Sequence, residues 1–395
     1  HVLIFQNTSN FSSEKLLELL EVGKFHEQIK NKNIFDTNPN WLNEMQGKQI
    51  FFSENFPTLL LILFWYLAIQ ILALSVLPFV MILFWKLPDK GYLLSKILGL
   101  LLVSAFTWLV VSLGIIQFSL ISISLSILFF ALVSLFFLRI RFYETIRWLY
   151  ETRKKILIWE SIFLVTFILF LLIRFYNPDL WHPYRGGEKP MDFAYLNAII
   201  KTTSLPPYDP WFSGGYMNYY YFGQFMVANL IILTGIIPSI SYNLAVASFF
   251  SFSAIMILSI LSNFQFLFLR SIGFPFWYKK FPWFISIFGI FVVLIFGNID
   301  GLFQFGGIIS DYIFGEKIRG FDYWRSSRMM DHSSMGFEIT EFPFFTFLFA
   351  DLHAHLLVIP ITLAGILMIF SHFLSIGTLE HRYIKILRLL TLGIL

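Results

Sequence analysis

The sequence predicts an all-α fold, a polytopic bundle of transmembrane helices. Three observations carry this. Hydrophobic residues make up 57% of the 395 residues and charged residues only 13%, against roughly 25% charged in soluble domains. The mean hydropathy is +0.73. Several apolar runs reach the roughly 20 residues that a helix needs to cross a bilayer.

The runs, in order, are Pro57–Trp85, Tyr92–Ile116, Ser119–Leu138, Ile156–Ile173, Tyr219–Ile237, Tyr242–Leu269, Pro282–Phe296, Pro343–Ser371 and one beginning near Ile386. The connector Arg139–Lys155 carries six bases, Arg139, Arg141, Arg147, Arg153, Lys154 and Lys155, and by the positive-inside rule it is cytoplasmic. The next run then puts Arg174–Asn218 outside. Gly297–Phe342 carries seven acids against four bases and also reads as outside. Arg270, Lys279 and Lys280, and later His381–Arg388, read as inside.

Two loops on one side require an even number of crossings between them, and three runs intervene. One of the three does not span. Tyr219–Ile237 is the candidate, because it opens on three tyrosines, carries Gln224 and is barely long enough. It reads as a helix at, or dipping into, the outer interface. Non-spanning backbone at that depth must be covered by protein or line a cavity. Residues 1–56 are mixed and polar, with an amphipathic helix expected in SSEKLLELLEVGKFHEQIK behind a Ser cap, on the outer side. Asn7 and Asn10 sit in glycosylation sequons, a tripeptide common by chance. Three regions follow: a polar extracytoplasmic segment at 1–56, N-terminal spans at 57–173 and a second membrane module at 174–395. The chain opens on His1 and stops at Leu395 inside an apolar run, so both ends read as cuts through a longer protein.

With no Cys, disulfides, thiolate metal sites and a Cys nucleophile are excluded. There is no Walker-type loop, no GxSxG and no basic aromatic stripe, so a nucleotide-driven pump or a nucleic-acid partner has no support.

The ionisable residues cluster in two places. In GGEKPMDFAYLNAIIKT, Pro190 suits a first helical turn, and Asp192 then sits near the helix N-terminus. It either complements the helix dipole or, with Glu188, works as a general base or metal ligand. Glu188 could instead pair with Arg185 or Lys189. Tyr219, Tyr220 and Tyr221 form either an aromatic belt or a surface for a sugar or lipid headgroup, just after the turn at Ser213-Gly214-Gly215. In EFPFFTFLFADLHAH, Pro343 again suits a helix start. A continuous helix places Asp351 about 15 Å inward of Glu341 and puts Asp351 and His355 on one face, with His353 pointing elsewhere. Ionisable groups at that depth mark a functional site by default. Such a pair could bind a divalent cation such as Mg2+ or Mn2+, meet a departing phosphate, relay a proton or lock helix packing. Arg325 and Arg328 are suited to phosphate or to plain solvation. Glu160, a turn or so from Lys154 and Lys155, reads as snorkelling.

GGEKPMDFAYLNAI, LPPYDPWFSGGYMNYYYFGQ and EFPFFTFLFADLHAH resemble the signature blocks of the tri-tyrosine (YYY) membrane proteins of bacteria and archaea. WKLPDKGYLLSKILGLLL and RFYNPDLWHP look like its earlier blocks, so the resemblance runs from about Pro57 onward. That family is largely uncharacterised and is similar to the GT-C glycosyltransferases. The resemblance implies a GT-C-like bundle in a prokaryotic plasma membrane, with juxtamembrane helices in the first large outer loop and an active site facing outward. It implies a membrane lipid partner, a polyprenyl-phosphate sugar donor, and an acid just ahead of the first juxtamembrane helix. Asp192, with Glu188 nearby, occupies that place, and Tyr219–Ile237 matches the second juxtamembrane helix. Asp192 or Glu188 would then deprotonate an acceptor. Arg185, Arg325 and Arg328 would hold the phosphate, with Asp351, His355 and His353 acting through a metal. Tyr219–Tyr221 would flank sugar or lipid, and Lys189 and Glu341 complete the binding set. The acids are spaced ExxxD rather than adjacent, and about four spans precede the loop instead of one. The competing readings are a transporter or flippase with an Asp351/His355 relay and a non-catalytic scaffold.

Overall fold

A computed structural model of the chain describes residues 56–180, 187–212, 214–273, 282–297, 299–322, 324–328, 339–376 and 382–394. The expected helix in residues 1–56, both sequons, Arg185 and Ser213 lie outside the described residues. Within them the chain is helical, with no strand beyond one isolated bridge between Tyr208 and Tyr216.

The helices are α1 (Thr58–Leu83), α2 (Leu94–Ser112), α3 (Leu120–Leu138), α4 (Phe142–Tyr176), α5 (Lys189–Lys201), α6 (Phe222–Thr234), α7 (Pro238–Ser271), α8 (Pro282–Phe291), α9 (Asp300–Phe314), α10 (Pro343–Phe349), α11 (Ala354–Ser375) and α12 (Arg382–Gly393). Six of them, α1, α2, α3, α4, α7 and α11, are long and apolar enough to cross a membrane. They pack through apolar faces, and contacts are closest where small residues allow. A Cβ on Gly99 of α2 would stand 2.4 Å from the Leu72 carbonyl oxygen of α1, so only glycine permits that crossing.

Charge parity removed one of three runs from the crossing count, and α6 behaves accordingly. It has 13 residues, about 20 Å of helix, short of the roughly 30 Å hydrocarbon core. From Gln224 to Ile232 every side chain is buried. The helix is enclosed by α1, α2, α3, α5, α7 and α11. Protein rather than headgroup therefore covers its backbone. Pro282–Phe296, expected as a plain span, is α8 continued by a π-helical turn at Val292–Phe296. It meets the criterion for a span only together with α9, across an 83° bend.

Contacts show which segments share an end of the bundle. The Phe118 N–H donates to Thr203 O at 2.8 Å, so the α2–α3 turn and the 202–221 loop share one end. At the other end, Asp89 accepts from Ser259 Oγ at 2.5 Å, and Arg388 donates to Leu83 O at 2.9 Å.

Glu160 does not snorkel toward Lys154 and Lys155. Its carboxylate pairs with Lys96 Nζ at 2.9 Å and accepts from Tyr92 OH at 3.0 Å and Gln70 Nε2 at 3.3 Å. Lys96, itself buried, also donates to Gln70 Oε1 at 2.8 Å. Desolvating two charges is costly, and opposite charge with matched hydrogen bonds is what offsets it. This network joins α1, α2 and α4.

Candidate functional site

Three chain segments build one cluster at the end of the bundle that holds the 202–221 loop. The first is the start of α5. Lys189, Asp192, Leu196 and Ile199 fall on its buried stripe, so the 3.6-residue period turns Asp192 inward. Gly187 leads in with φ +62°, and a Cβ there would lie 2.4 Å from the Phe349 ring and 2.5 Å from Asp351 Oδ2. Both the left-handed backbone and the close approach require glycine.

The second segment is the break between α10 and α11. The helix expected to run from Pro343 through His355 is not continuous. It stops at Ala350, at φ +62°, and restarts at Ala354. A non-glycine residue in that region is strained, and Tyr242 of α7 holds it. The Tyr242 hydroxyl donates to Ala350 O at 3.2 Å and accepts from the Leu352 N–H at 2.7 Å. The break reverses the expected facing. His353 is the side chain that turns into the cluster, and His355 is 3.5 Å from Glu341 rather than paired with Asp351. Glu341 is therefore next to His355, not a helix length outward of it.

The third segment is Tyr219–Gln224. Gln224 Nε2 donates to Asp192 Oδ1 at 3.3 Å and to Leu352 O at 3.2 Å. The Tyr219 hydroxyl is 3.1 Å from His353 Nε2, and its ring stacks on Tyr220 with centroids 4.0 Å apart. Tyr221 departs from its two neighbours and accepts from Trp108 Nε1 of α2 at 3.0 Å.

At the centre, His353 bridges two carboxylates. Its Nδ1 is 2.8 Å from Asp192 Oδ1, and its Nε2 is 3.2 Å from Glu188 Oε2. Asp192 is fully buried, and its Oδ2 has no hydrogen-bond partner. Burial raises the Asp192 pKa above the ordinary carboxylate value, and the Asp192 carboxylate raises that of His353. Beside them, Asp351 accepts from the Glu188 N–H at 3.0 Å and lies 3.5 Å from Lys189 Nζ. Burial pushes the Asp351 carboxyl up to about 6, and burial lowers the Lys189 ammonium. Lys189 also sits 4.2 Å over the Phe349 ring.

A cavity of about 590 Å³ opens on this cluster, lined by Glu188, Tyr219, Tyr220, His353, Ala354, His355 and Val358. Asp192, expected to meet an acceptor directly, lies behind His353 and does not line it. The metal expectation for Asp351, His355 and His353 does not fit. Both His353 nitrogens face carboxylates, Asp351 faces a lysine, and among the described residues no group of three His, Cys, Asp or Glu side chains is arranged to hold a metal ion. Arg325 binds Asp300, with Nη2–Oδ1 at 2.5 Å. Arg328 lies over Trp324, which packs edge-on to Phe349, so two aromatic rings separate it from Lys189. Tyr242 and Gln224 were missing from the sequence-derived set. Gln224 had a signal, an amide beside the three tyrosines in an apolar helix that also carries Asn229; Tyr242 had none.

An all-helical fold with six membrane-length helices and a polar cluster at one end defines a polytopic integral membrane protein. The chain belongs to the uncharacterized membrane protein family DUF2298, whose model matches residues 102–395. No curated protein matches it, and no solved structure does.

Proposed function

We propose that the chain is a membrane glycosyltransferase, moving a sugar from a polyprenyl-phosphate donor to an acceptor hydroxyl on the outward side of a prokaryotic plasma membrane. The observation that carries this reading is the convergence of Glu188 and Asp192 on His353 beside a cavity walled by Tyr219 and Tyr220. The resemblance to GT-C enzymes supports it through the acid at the head of α5.

On this reading the two acids have separate tasks. Glu188 is half exposed in the cavity and takes the proton from the acceptor hydroxyl. The acceptor oxygen attacks the anomeric carbon, and the bond from that carbon to the phosphate oxygen breaks. The polyprenyl phosphate leaves with the electron pair. Asp192 is a positioning residue, since it fixes the His353 ring through Nδ1 and leaves Nε2 beside Glu188 to share the proton. This is the logic of an acid–histidine pair in other hydrolytic and transfer sites. Tyr219 and Tyr220 offer ring faces to the sugar. Val358, one turn along α11 and 47% exposed, gives the lipid tail an apolar exit.

The test reconstitutes the full chain in liposomes with a panel of labelled polyprenyl-phosphate sugars and hydroxyl-bearing acceptors. The expected result is labelled product together with free polyprenyl phosphate for one donor. Absence of transfer from every donor, with proton-driven flux that Asp351→Asn abolishes, would replace this reading with a transporter.

A further inference from the structure

Helix α9 has its burial pattern inverted. Its buried side chains are polar: Asp300, Gln304 and Asp311. Its opposite ridge, at i, i+3, i+7 and i+11, is Leu302, Phe305, Ile309 and Ile313, which are 57, 61, 51 and 68% exposed. The polar stripe is sealed by the chain that follows it. Arg319 clamps Asp311 in bidentate fashion at 2.6 and 2.7 Å. Arg325 clamps Asp300. Gln304 exchanges hydrogen bonds with the Asp322 backbone at 2.7 and 3.0 Å. That stripe therefore needs neither water nor a partner, and the large apolar ridge is what remains uncovered.

We infer that α9 lies in the plane of the bilayer surface at the cavity end, with its ridge seated in the lipid acyl region. Two features point to lipid as the occupant. The ridge follows in the chain on α8, whose Phe284, Phe288 and Phe291 are exposed and apolar as well. The 83° bend turns α9 off the α8 axis, and with 15 residues, about 22 Å, α9 does not by itself cross a core of roughly 30 Å. The height is set by the covering loop, because Trp324 packs on Phe345 and Phe349 of α10, next to Lys189. The same loop places Arg319 and Arg325 on the polar stripe opposite the ridge, each paired with an aspartate of α9. Amphipathic helices of this kind sit roughly 5–10 Å into the headgroup–acyl boundary. The inference is independent of the chemistry in the cavity.

The chain has no cysteine, which allows single-cysteine spin labelling without a background. Leu302→Cys, Ile309→Cys and Ile313→Cys are labelled in the full chain, in phosphatidylcholine–phosphatidylglycerol vesicles. Lys317→Cys, on the exposed loop, is the water-facing control. Collision with oxygen and with a water-soluble nickel chelate reads the depth. All three ridge labels are expected to favour oxygen and to report one common shallow depth, while the control favours the chelate. Chelate access at the ridge would overturn the inference, as would protection from both reagents, which means a protein covers the ridge. Depth rising by about 16 Å from Leu302 to Ile313 would make α9 a span and would equally overturn it. Three independent positions keep the result readable if one label disturbs folding.

Discussion

The cavity cluster and the Lys96–Glu160 network are both polar groups set in apolar protein, yet they are built oppositely. In the network, one acid faces one base, and Tyr92 and Gln70 occupy the remaining carboxylate positions. In the cavity cluster, three carboxylates, Glu188, Asp192 and Asp351, share one lysine and one histidine. Asp192 Oδ2 and Gln224 Oε1 are buried without partners. The backbone there is strained at Ala350 and relies on glycine at Gly187. Buried polar atoms without partners are costly, and strain persists only where surrounding structure enforces it. On the proposed reading, incomplete satisfaction beside a cavity, more than depth in the membrane, separates the candidate site from a structural lock.

The largest effect that tests this contrast falls on Asp192. Asp192→Asn replaces the acceptor facing His353 Nδ1 with a group that can present a donor, which disturbs ring orientation and tautomer. Transfer in the liposome assay is expected to fall about 10²–10⁴-fold, the range for a lost acid–base function. The thermal midpoint in detergent should remain within a few degrees of wild type. Transfer within twofold of wild type would remove Asp192 from the site.

The pH dependence of stability sharpens the same contrast at intermediate size. Asp351 is raised to about 6 from 3.8. Its protonated form is favoured in the folded state, so its contribution is fully present below pH 3.8 and is lost as pH rises through about 6. His353 is raised above 6.5, so its contribution is present below 6.5 and is lost as pH rises through that higher value. Both act in one direction, Asp192 acts with them and the lowered His355 against them, and the three raised groups together should make the thermal midpoint fall between pH 4 and pH 8. The Asp351 part is at most about 3 kcal/mol, from two pKa units. Asp351→Asn should flatten the curve below about pH 6 and leave the upper part. A midpoint that rises with pH across this window would contradict both assignments.

The sequence revealed the class of fold, and the segments that meet at the polar cluster, better than the wiring of that cluster. Hydropathy located the six membrane-length helices of the described residues, though it also took Pro282–Phe296 for a span, and charge parity picked out α6, which is too short to cross, because both depend on features that sum along the chain. Pro190 marked the start of α5 and so placed Asp192 on its first turn. The break at Ala350 had no such mark. FTFLFADLHAHL contains no glycine or proline, and the residue that holds the break, Tyr242, is 108 positions away. Asp192 and His353 are separated by 161 positions, so neither the burial of Asp192 nor the inward turn of His353 could be read locally. Glu160 was misread for the same reason. Lys154 and Lys155 are visible beside it in the sequence, whereas Lys96 reaches it only across space, from a helix far away in the chain.

The smallest expected effect lies in the network. The network satisfies its own charges, so replacing both partners by apolar residues of similar size removes a desolvation cost together with an attraction, and leaves the half-buried Tyr92 hydroxyl and Gln70 amide without the carboxylate. Such exchanges are often neutral or stabilising, whereas removing one partner leaves a buried charge and is strongly destabilising. Lys96→Met combined with Glu160→Leu is therefore expected to shift stability by no more than about 1 kcal/mol. Transfer should stay within twofold of wild type, since no residue of the pair touches the cavity. A loss of transfer comparable to that of Asp192→Asn, with the thermal midpoint unchanged, would show that the network takes part in function. The distinction drawn between a satisfied and an unsatisfied cluster would then fail for this protein.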